Sequence, residues 1–158
     1  MQKRSYRRAI ALITLSAALT SVSFVPYNVY FLGFLGLIPA FYVFEHFSAS
    51  RRRTIFLWLI WTLILNLVGY HWIMHTIAVY GMMPTFVAFP LFLLYSLGTG
   101  GKMLLFFFFL RWMYRRKDIF TSAAKCTLAV AAAFGLCELI GWQLFPWHGA
   151  NIVSGDLW

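Results

Sequence analysis

Long apolar runs, separated by basic or Pro/Gly-bearing breaks, follow one another along the chain. Four runs are long and one is shorter, and each approaches the ~20 residues with which an α-helix crosses a hydrocarbon core of about 30 Å. Strands would leave backbone groups unpaired in lipid, and the ~10-residue alternation of a membrane barrel is missing. The pattern predicts an all-α, polytopic membrane helix bundle with five helices, over residues 9–25, 29–47, 55–80, 85–112 and 119–144.

Composition supports a membrane protein. Hydrophobic residues make up 62% of the 158 residues and charged residues 11%, and the mean hydropathy is +0.78. Too few polar residues remain to cover a water-exposed surface. The first run also fits a signal peptide, because Lys3, Arg4, Arg7 and Arg8 precede it, but no small-x-small cleavage site stands out before Pro26 and a second apolar run follows within four residues. We therefore interpret it as the first membrane helix.

The positions of the basic residues predict the orientation of the bundle. All but two of the thirteen Lys and Arg residues lie in three clusters: the N-terminal tail, Arg51 to Arg53, and residues 111–117. With five helices and a cytoplasmic N-terminus, all three clusters lie on the cytoplasmic side, as the positive-inside rule requires. The topology accounts for the net charge of +9, so no nucleic-acid partner is predicted.

Two histidines, His71 and His75, lie one helical turn apart beside Trp72 and Tyr80. A zinc-protease helix would carry a glutamate general base at the position of Trp72. A metal shared by the two rings would need a third ligand from elsewhere, such as His148 or Glu138. The favoured interpretation is a helix end at the membrane interface, where aromatic and imidazole side chains keep polar tips in water. No metal and no cofactor are predicted.

Three polar groups lie within the predicted spans. The run from Ser96 to Lys102 resembles a phosphate loop but has Tyr95 and Met103 where that motif needs glycine and Ser or Thr. Its small residues are expected instead to admit a neighbouring helix or to loosen the helix locally. Lys102 is assigned a structural role, and Asn66 a hydrogen bond between helices. Glu138, near the outer end of the fifth helix, is either a functional carboxylate, with His71 or His75 as partner, or a solvated interfacial one.

No complete active site emerges from the sequence. Cys126 and Cys137 lie about 16 Å apart along one helix, too far to bridge, and a thiol in apolar surroundings is a poor nucleophile. The chain has only four acidic residues and lacks a Ser/His/Asp elbow, a carboxylate pair and a nucleotide loop. No catalytic residue is therefore predicted.

Two motifs nevertheless resemble those of a known family. One motif reads Gly69-x-x-Trp72-Ile73-x-x-Thr76-Ile77-x-x-Tyr80-Gly81-x-Met83-Pro84, and the other consists of Glu138 followed by Leu144-Phe145-Pro146-Trp147. They are similar to the third helix, and to the fifth helix with its Phe-Pro-Trp loop, in apolipoprotein N-acyltransferases of bacterial inner membranes. The family usually has a second glycine where Met82 stands and Arg-Gly where Ile140-Gly141 stands, and the spacing from Glu138 to the loop is shorter here than in many members.

The resemblance implies a much longer enzyme, with eight membrane helices and a nitrilase-like domain on the outer side that carries a Glu-Lys-Cys triad. Such an enzyme moves an acyl chain from phospholipid to the N-terminal cysteine amine of diacylglyceryl lipoproteins. No position here matches the triad. The chain is therefore expected to be the N-terminal membrane module of such an enzyme, multi-pass in the bacterial inner membrane and inactive alone. Its expected partners are membrane phospholipid and, through the full-length enzyme, diacylglyceryl apolipoprotein.

The predicted topology places several aromatic and polar residues on the outer side of the membrane. We expect them to line the surface below the catalytic domain, as a substrate-binding or domain-docking site: His71, Trp72, His75, Tyr80, Glu138, Trp142 and Trp147. The alternative hypothesis is a self-sufficient, non-enzymatic membrane protein, such as a small transporter or assembly factor, in which Asn66, Lys102 and Glu138 form a polar path.

Overall fold

Six α-helices form the described part of the chain. The computed structural model describes residues 2–23, 29, 31–47, 50–116 and 122–140, and within these residues it contains no strand. The helices are α1 (Gln2–Val22), α2 (Phe31–His46), α3 (Arg51–Gly69), α4 (His71–Tyr80), α5 (Thr85–Arg115) and α6 (Ala123–Ile140). The all-α fold class is therefore confirmed.

Three of these helices, α3, α5 and α6, are long and apolar enough to cross a bilayer. Over its described residues α2 is apolar but too short, with 16 residues. α1 is long enough but contains Arg7 and Arg8 and is not apolar enough. The fold is a helical membrane bundle. The prediction of five spans stays a prediction.

Aromatic side chains fill the centre of the bundle. α1 packs against α2 and α3, and α5 packs against α3 and α2. At the centre the rings of Phe44 and Phe107 stack with centroids 3.9 Å apart, and Trp61 meets Phe107 edge to face at 5.6 Å. α6 lies outside this core and packs against α5, where Phe134 contacts Phe106 edge to face at 5.3 Å.

The helices begin and end differently from the hydrophobic runs. α3 starts at Arg51, before the apolar run, because the Ser50 side chain accepts a hydrogen bond from the Arg53 backbone N–H and caps the helix. The third predicted helix also divides in two at Tyr70, whose backbone angles (φ −120°, ψ 20°) are not helical. Gly69, a weak helix former, directly precedes this break. The predicted continuous helix to Tyr80 is therefore wrong, and the extension is the separate helix α4.

Hydrogen bonds between helices fix the register of the bundle. The Ser16 hydroxyl, on α1, donates to the Gly36 carbonyl on α2 at 2.6 Å and accepts from Trp61 Nε1 on α3 at 3.1 Å. Trp58 Nε1 donates to the Gly100 carbonyl on α5 at 2.8 Å. In lipid such bonds satisfy polar groups that have no water to turn to, so they hold the four helices in one alignment.

The register of α3 on α5 shows that α5 extends past α3. Gly100 lies beside Trp58 and Thr62, so at ~1.5 Å per residue in antiparallel helices Gly69 lies roughly level with Leu91. The first turns of α5 therefore project beyond the end of α3, and α4 packs alongside them. α3 itself is about 28 Å long, close to the thickness of the hydrocarbon core. The hairpin formed by α4, residues 81–84 and the start of α5, here called the α4–α5 hairpin, thus lies beyond the end of α3, at the end of the bundle opposite the arginines.

Candidate functional site

The α4–α5 hairpin exposes a broad apolar surface. At its tip Tyr80 is 82% exposed, Met82 91% and Phe86 78%. From Thr54 to Gly101 the sequence has no Asp, Glu, Lys or Arg. An exposed surface of this size without charge marks a contact with lipid or with another protein segment, since water would not favour it.

Four of the seven predicted site residues lie on α4. His71, Trp72, His75 and Tyr80 are all exposed, whereas Ile73 is the buried residue that faces the bundle. Residues four apart share a helix face, so His71 lies next to His75, and Trp72 lies on the adjoining side of the helix. Tyr80 comes seven residues after Ile73 and therefore lies on the same side of α4 as Ile73, at the exposed end of the helix. Trp142 and Trp147 lie outside the described residues.

Glu138 pairs with a lysine. Its Oε2 lies 2.9 Å from Lys102 Nζ, and the two side chains are 13% and 14% exposed. The expectation of a partner at His71 or His75 is therefore wrong, since the lysine of α5 lies directly opposite Glu138 on α6. The pair places two opposite charges where a single one would be costly in lipid. The pair also links α6 to α5, which agrees with the structural role predicted for Lys102.

Two tyrosines extend this polar region. Tyr70, at the break between α3 and α4, lies within electrostatic reach of both Tyr95 and Glu138. Tyr95 lies two turns before Lys102 on α5, on the same face. Tyr70, Tyr95, Lys102 and Glu138 therefore form one polar cluster below the α4–α5 hairpin, built from α5, α6 and the α3–α4 junction. The sequence signal for this cluster was weak, because the four residues are far apart in the chain.

Asn66 does not bond between helices as predicted. Its Nδ2 donates to the Thr62 carbonyl, 2.8 Å away and one turn earlier on the same helix. On α3 the side chains of Trp58 and Trp61, which the sequence analysis did not single out, make bonds to other helices. An indole N–H in the middle of an apolar helix needs a hydrogen-bond acceptor. The two tryptophans in the apolar run were therefore the sequence feature from which these bonds could have been predicted.

His71 and His75 lie on α4, whereas the two cysteines lie on α6. His71 Nδ1 lies 3.0 Å from the Val68 carbonyl oxygen, and it donates a hydrogen bond to this oxygen in the tautomer that carries the proton on Nδ1. Cys126 and Cys137 are free thiols on α6, both partly buried. Within the part of the chain that the structure describes, no three His, Cys, Asp or Glu residues cluster closely enough to hold a metal ion.

Comparison with known proteins identifies the family. The family model of the apolipoprotein N-acyltransferase N-terminal domain matches residues 16–151. The chain belongs to the apolipoprotein N-acyltransferase family. The match includes both motifs on which the resemblance was based, and therefore the α4–α5 hairpin and Glu138. The resemblance noted from the sequence is thus confirmed.

Two relatives in Leptospira interrogans illustrate the match. Apolipoprotein N-acyltransferase 1 of serovar Lai is 30% identical over 134 residues, which are 84% of this chain and 23% of that protein. Apolipoprotein N-acyltransferase 2 of serovar copenhageni is 27% identical over 139 residues, which are 86% of this chain and 22% of that protein. The chain thus spans about a quarter of the length of these relatives. No solved structure matches it.

Proposed function

We propose that this chain is the N-terminal membrane module of an apolipoprotein N-acyltransferase, multi-pass in a bacterial inner membrane with its N-terminus in the cytoplasm. In this role it holds the catalytic part of such an enzyme at the outer membrane boundary and gives a phospholipid lateral access to it. The reaction is the transfer of an acyl chain from phospholipid to the N-terminal amine of a diacylglyceryl apolipoprotein. The chain alone is inactive.

The observation that carries this proposal is the position of the α4–α5 hairpin. It lies at the end of the bundle opposite the arginines, and it is apolar, exposed and free of charged residues. An acyl donor resides in lipid, whereas a reacting thiolate needs water, so an enzyme joining the two needs an apolar surface at this boundary. His71, Trp72, His75 and Tyr80 are exposed members of that surface, and Glu138 lies below it. We propose Trp142 and Trp147 as further members.

A chimera tests the proposal. The matching N-terminal region of the Leptospira apolipoprotein N-acyltransferase 1 is replaced by this chain, and acyl transfer to a diacylglyceryl peptide is measured in membranes. We expect transfer by the chimera and none by the chain alone. Turnover by the purified chain would refute the proposal that the catalytic residues lie outside this chain. A chimera that inserts and folds but does not transfer the acyl chain would refute the proposal that this chain is the membrane module.

A matched pair of substitutions in the chimera tests the hairpin. Tyr80→Ser combined with Phe86→Ser makes its tip polar, and we expect transfer to fall by at least about tenfold, since each substitution removes an apolar contact worth roughly 1–2 kcal/mol. Leu128→Ser combined with Leu139→Ser changes two equally exposed apolar residues on α6. If both pairs reduce transfer equally, the hairpin has no special role.

A further inference from the structure

Two imidazole side chains lie one helical turn apart on α4. His71 is the first residue of this helix, His75 follows four residues later, and both side chains are exposed. Residues four apart on a helix share one face, with Cβ atoms about 5–6 Å apart. Helical side chains also lean towards the N-terminus of their helix, so His75 leans towards His71. The two rings are therefore neighbours on one side of the α4–α5 hairpin.

A hydrogen bond determines which ring nitrogen of His71 carries the proton. Its Nδ1 lies 3.0 Å from the Val68 carbonyl oxygen. A carbonyl oxygen can only accept, so Nδ1 is the donor, and in the neutral ring Nε2 keeps the lone pair. The bond crosses the helix break at Tyr70, from the start of α4 to the last turn of α3. A backbone carbonyl that accepts from one ring nitrogen is the usual outer partner of an imidazole that binds a metal through the other.

The chemistry around the two rings favours one class of metal ion. The α4–α5 hairpin contains no Lys or Arg that would repel a cation, and no Asp or Glu that would offer the oxygen ligands preferred by Mg²⁺ and Ca²⁺. Imidazole nitrogen suits Zn²⁺, Cu²⁺ and Ni²⁺. Among the described residues no third His, Cys, Asp or Glu lies close enough to complete a metal site. The remaining coordination positions would therefore be taken by water.

We propose that His71 and His75 together bind one divalent transition-metal ion of the Zn²⁺, Cu²⁺ and Ni²⁺ class, with Nε2 as the ligand atom of His71. The sequence favoured an interfacial role for the two rings, and the bond to Val68 is the feature that the structure adds. A bound ion links two turns of α4. Since this helix has only ten residues, and helices shorter than about 12 residues are marginal by themselves, the ion stabilises it. The site does not depend on the proposed function.

Calorimetric titration of Ni²⁺ into the full chain tests the site. The chain is used without an affinity tag, in non-ionic detergent, with Cys126 and Cys137 replaced by alanine because thiols also bind metal ions. We expect His75→Gln to lower the Ni²⁺ affinity about 100-fold, since two rings on one helix bind as linked sites. If circular dichroism shows that this variant does not fold, His71→Gln replaces it, with the same expected loss.

His46 provides a matched control. It is an exposed histidine at the end of α2, and its Nδ1 also lies 3.0 Å from a carbonyl oxygen, that of Tyr42. We expect His46→Gln to leave the Ni²⁺ affinity within about twofold, because this ring is not part of the linked pair. Equal affinities of the His46→Gln and His75→Gln variants would overturn the proposal. Binding of Mg²⁺ as tight as that of Ni²⁺ would also overturn it, because imidazole does not favour Mg²⁺.

A shift of the second histidine separates a paired site from scattered binding to single imidazoles. His75→Gln combined with Met74→His places the second ring three residues from His71, on the same face of α4. His75→Gln combined with Thr76→His places it five residues away, on a different side. We expect the first combination to bind Ni²⁺ at least about tenfold more tightly than the second. Equal affinity of the two combinations would show that the position of the ring has no influence, and it would refute the site.

Discussion

At the scale of single residues, two adjacent glycines on α5 differ in what they contact. A Cβ on Gly100 would lie 2.5 Å from Thr62 Cγ2, whereas one on Gly101 would have no atom within 4 Å. The sequence predicted that the small residues between Ser96 and Lys102 admit a neighbouring helix, and Gly100 does so. Which of the glycines has this role depends on the rotation of α5 about its axis, and an apolar helix carries little information about that rotation.

Alanine at each position gives opposite results. Gly100→Ala forces α3 away from α5 and weakens the Trp58 bond to the Gly100 carbonyl, so we expect a loss of about 1–3 kcal/mol in unfolding free energy. Gly101→Ala is expected to raise it by up to about 1 kcal/mol, because alanine is the better helix former. Unfolding of both variants in mixed detergent, followed by circular dichroism, measures the difference. Equal shifts for both variants would show that α3 does not contact α5 at Gly100.

Met82 has a strained backbone. Its φ is 48°, and among the described residues other than glycine it is the one with positive φ. The family usually has glycine here, so the motif itself carried the signal that this turn needs a left-handed residue. A methionine tolerates this conformation at a cost of roughly 1–2 kcal/mol.

Two substitutions at Met82 measure this strain. The side chain is almost fully exposed, so little packing is lost. We expect Met82→Asn to raise the unfolding free energy and Met82→Val to lower it, with a difference of about 1–2 kcal/mol between the two variants, measured by thermal unfolding. Asparagine accepts the left-handed region, whereas a β-branched residue does not. The same pair at Met83, which lacks the positive φ, serves as control. A spread as large at Met83 would mean that backbone conformation is not the cause.

At the scale of helices, the apolar pattern predicted which segments are helical but not where each helix breaks or what it faces. Hydropathy marks only the length that lies in lipid, so it missed the start of α3 at Arg51 and the break at Tyr70. It also placed Lys102 and Glu138 on separate helices without indicating that they meet. Their contact depends on the relative rotation of α5 and α6, which is determined by tertiary packing.

The ion pair between these helices is expected to be strongly coupled. Lys102→Met leaves Glu138 without its cation, and Glu138→Leu leaves Lys102 without its anion. We expect each to lower the unfolding free energy by about 3 kcal/mol, while the double variant recovers most of the loss, because two apolar residues need no partner in lipid. A double-mutant cycle on detergent unfolding gives the coupling energy. Additive losses would show that the 2.9 Å contact contributes nothing.

At the scale of the whole molecule, composition was sufficient to predict a helical membrane protein, because a chain with 11% charged residues has few alternatives. The family followed from two motifs, and the first of them, over residues 69–84, contains no Asp, Glu, Lys or Arg and is largely exposed. The geometry of the candidate site could not be predicted, since the polar cluster combines segments that are distant in sequence. The two ends of the bundle therefore differ in charge, with arginines at one end and an uncharged hairpin at the other.

This polarity predicts the orientation of the bundle in the membrane. With Cys126 and Cys137 replaced by alanine, single cysteines are introduced by Arg52→Cys and by His75→Cys, both at exposed positions. In intact cells an impermeant maleimide is expected to label position 75, whereas position 52 reacts only after the membrane is made permeable. In the predicted topology the two positions lie on opposite sides of one hydrocarbon core, because α3 is about 28 Å long. Labelling of position 52 from outside would invert the topology, and it would place the hairpin in the cytoplasm, away from any periplasmic apolipoprotein.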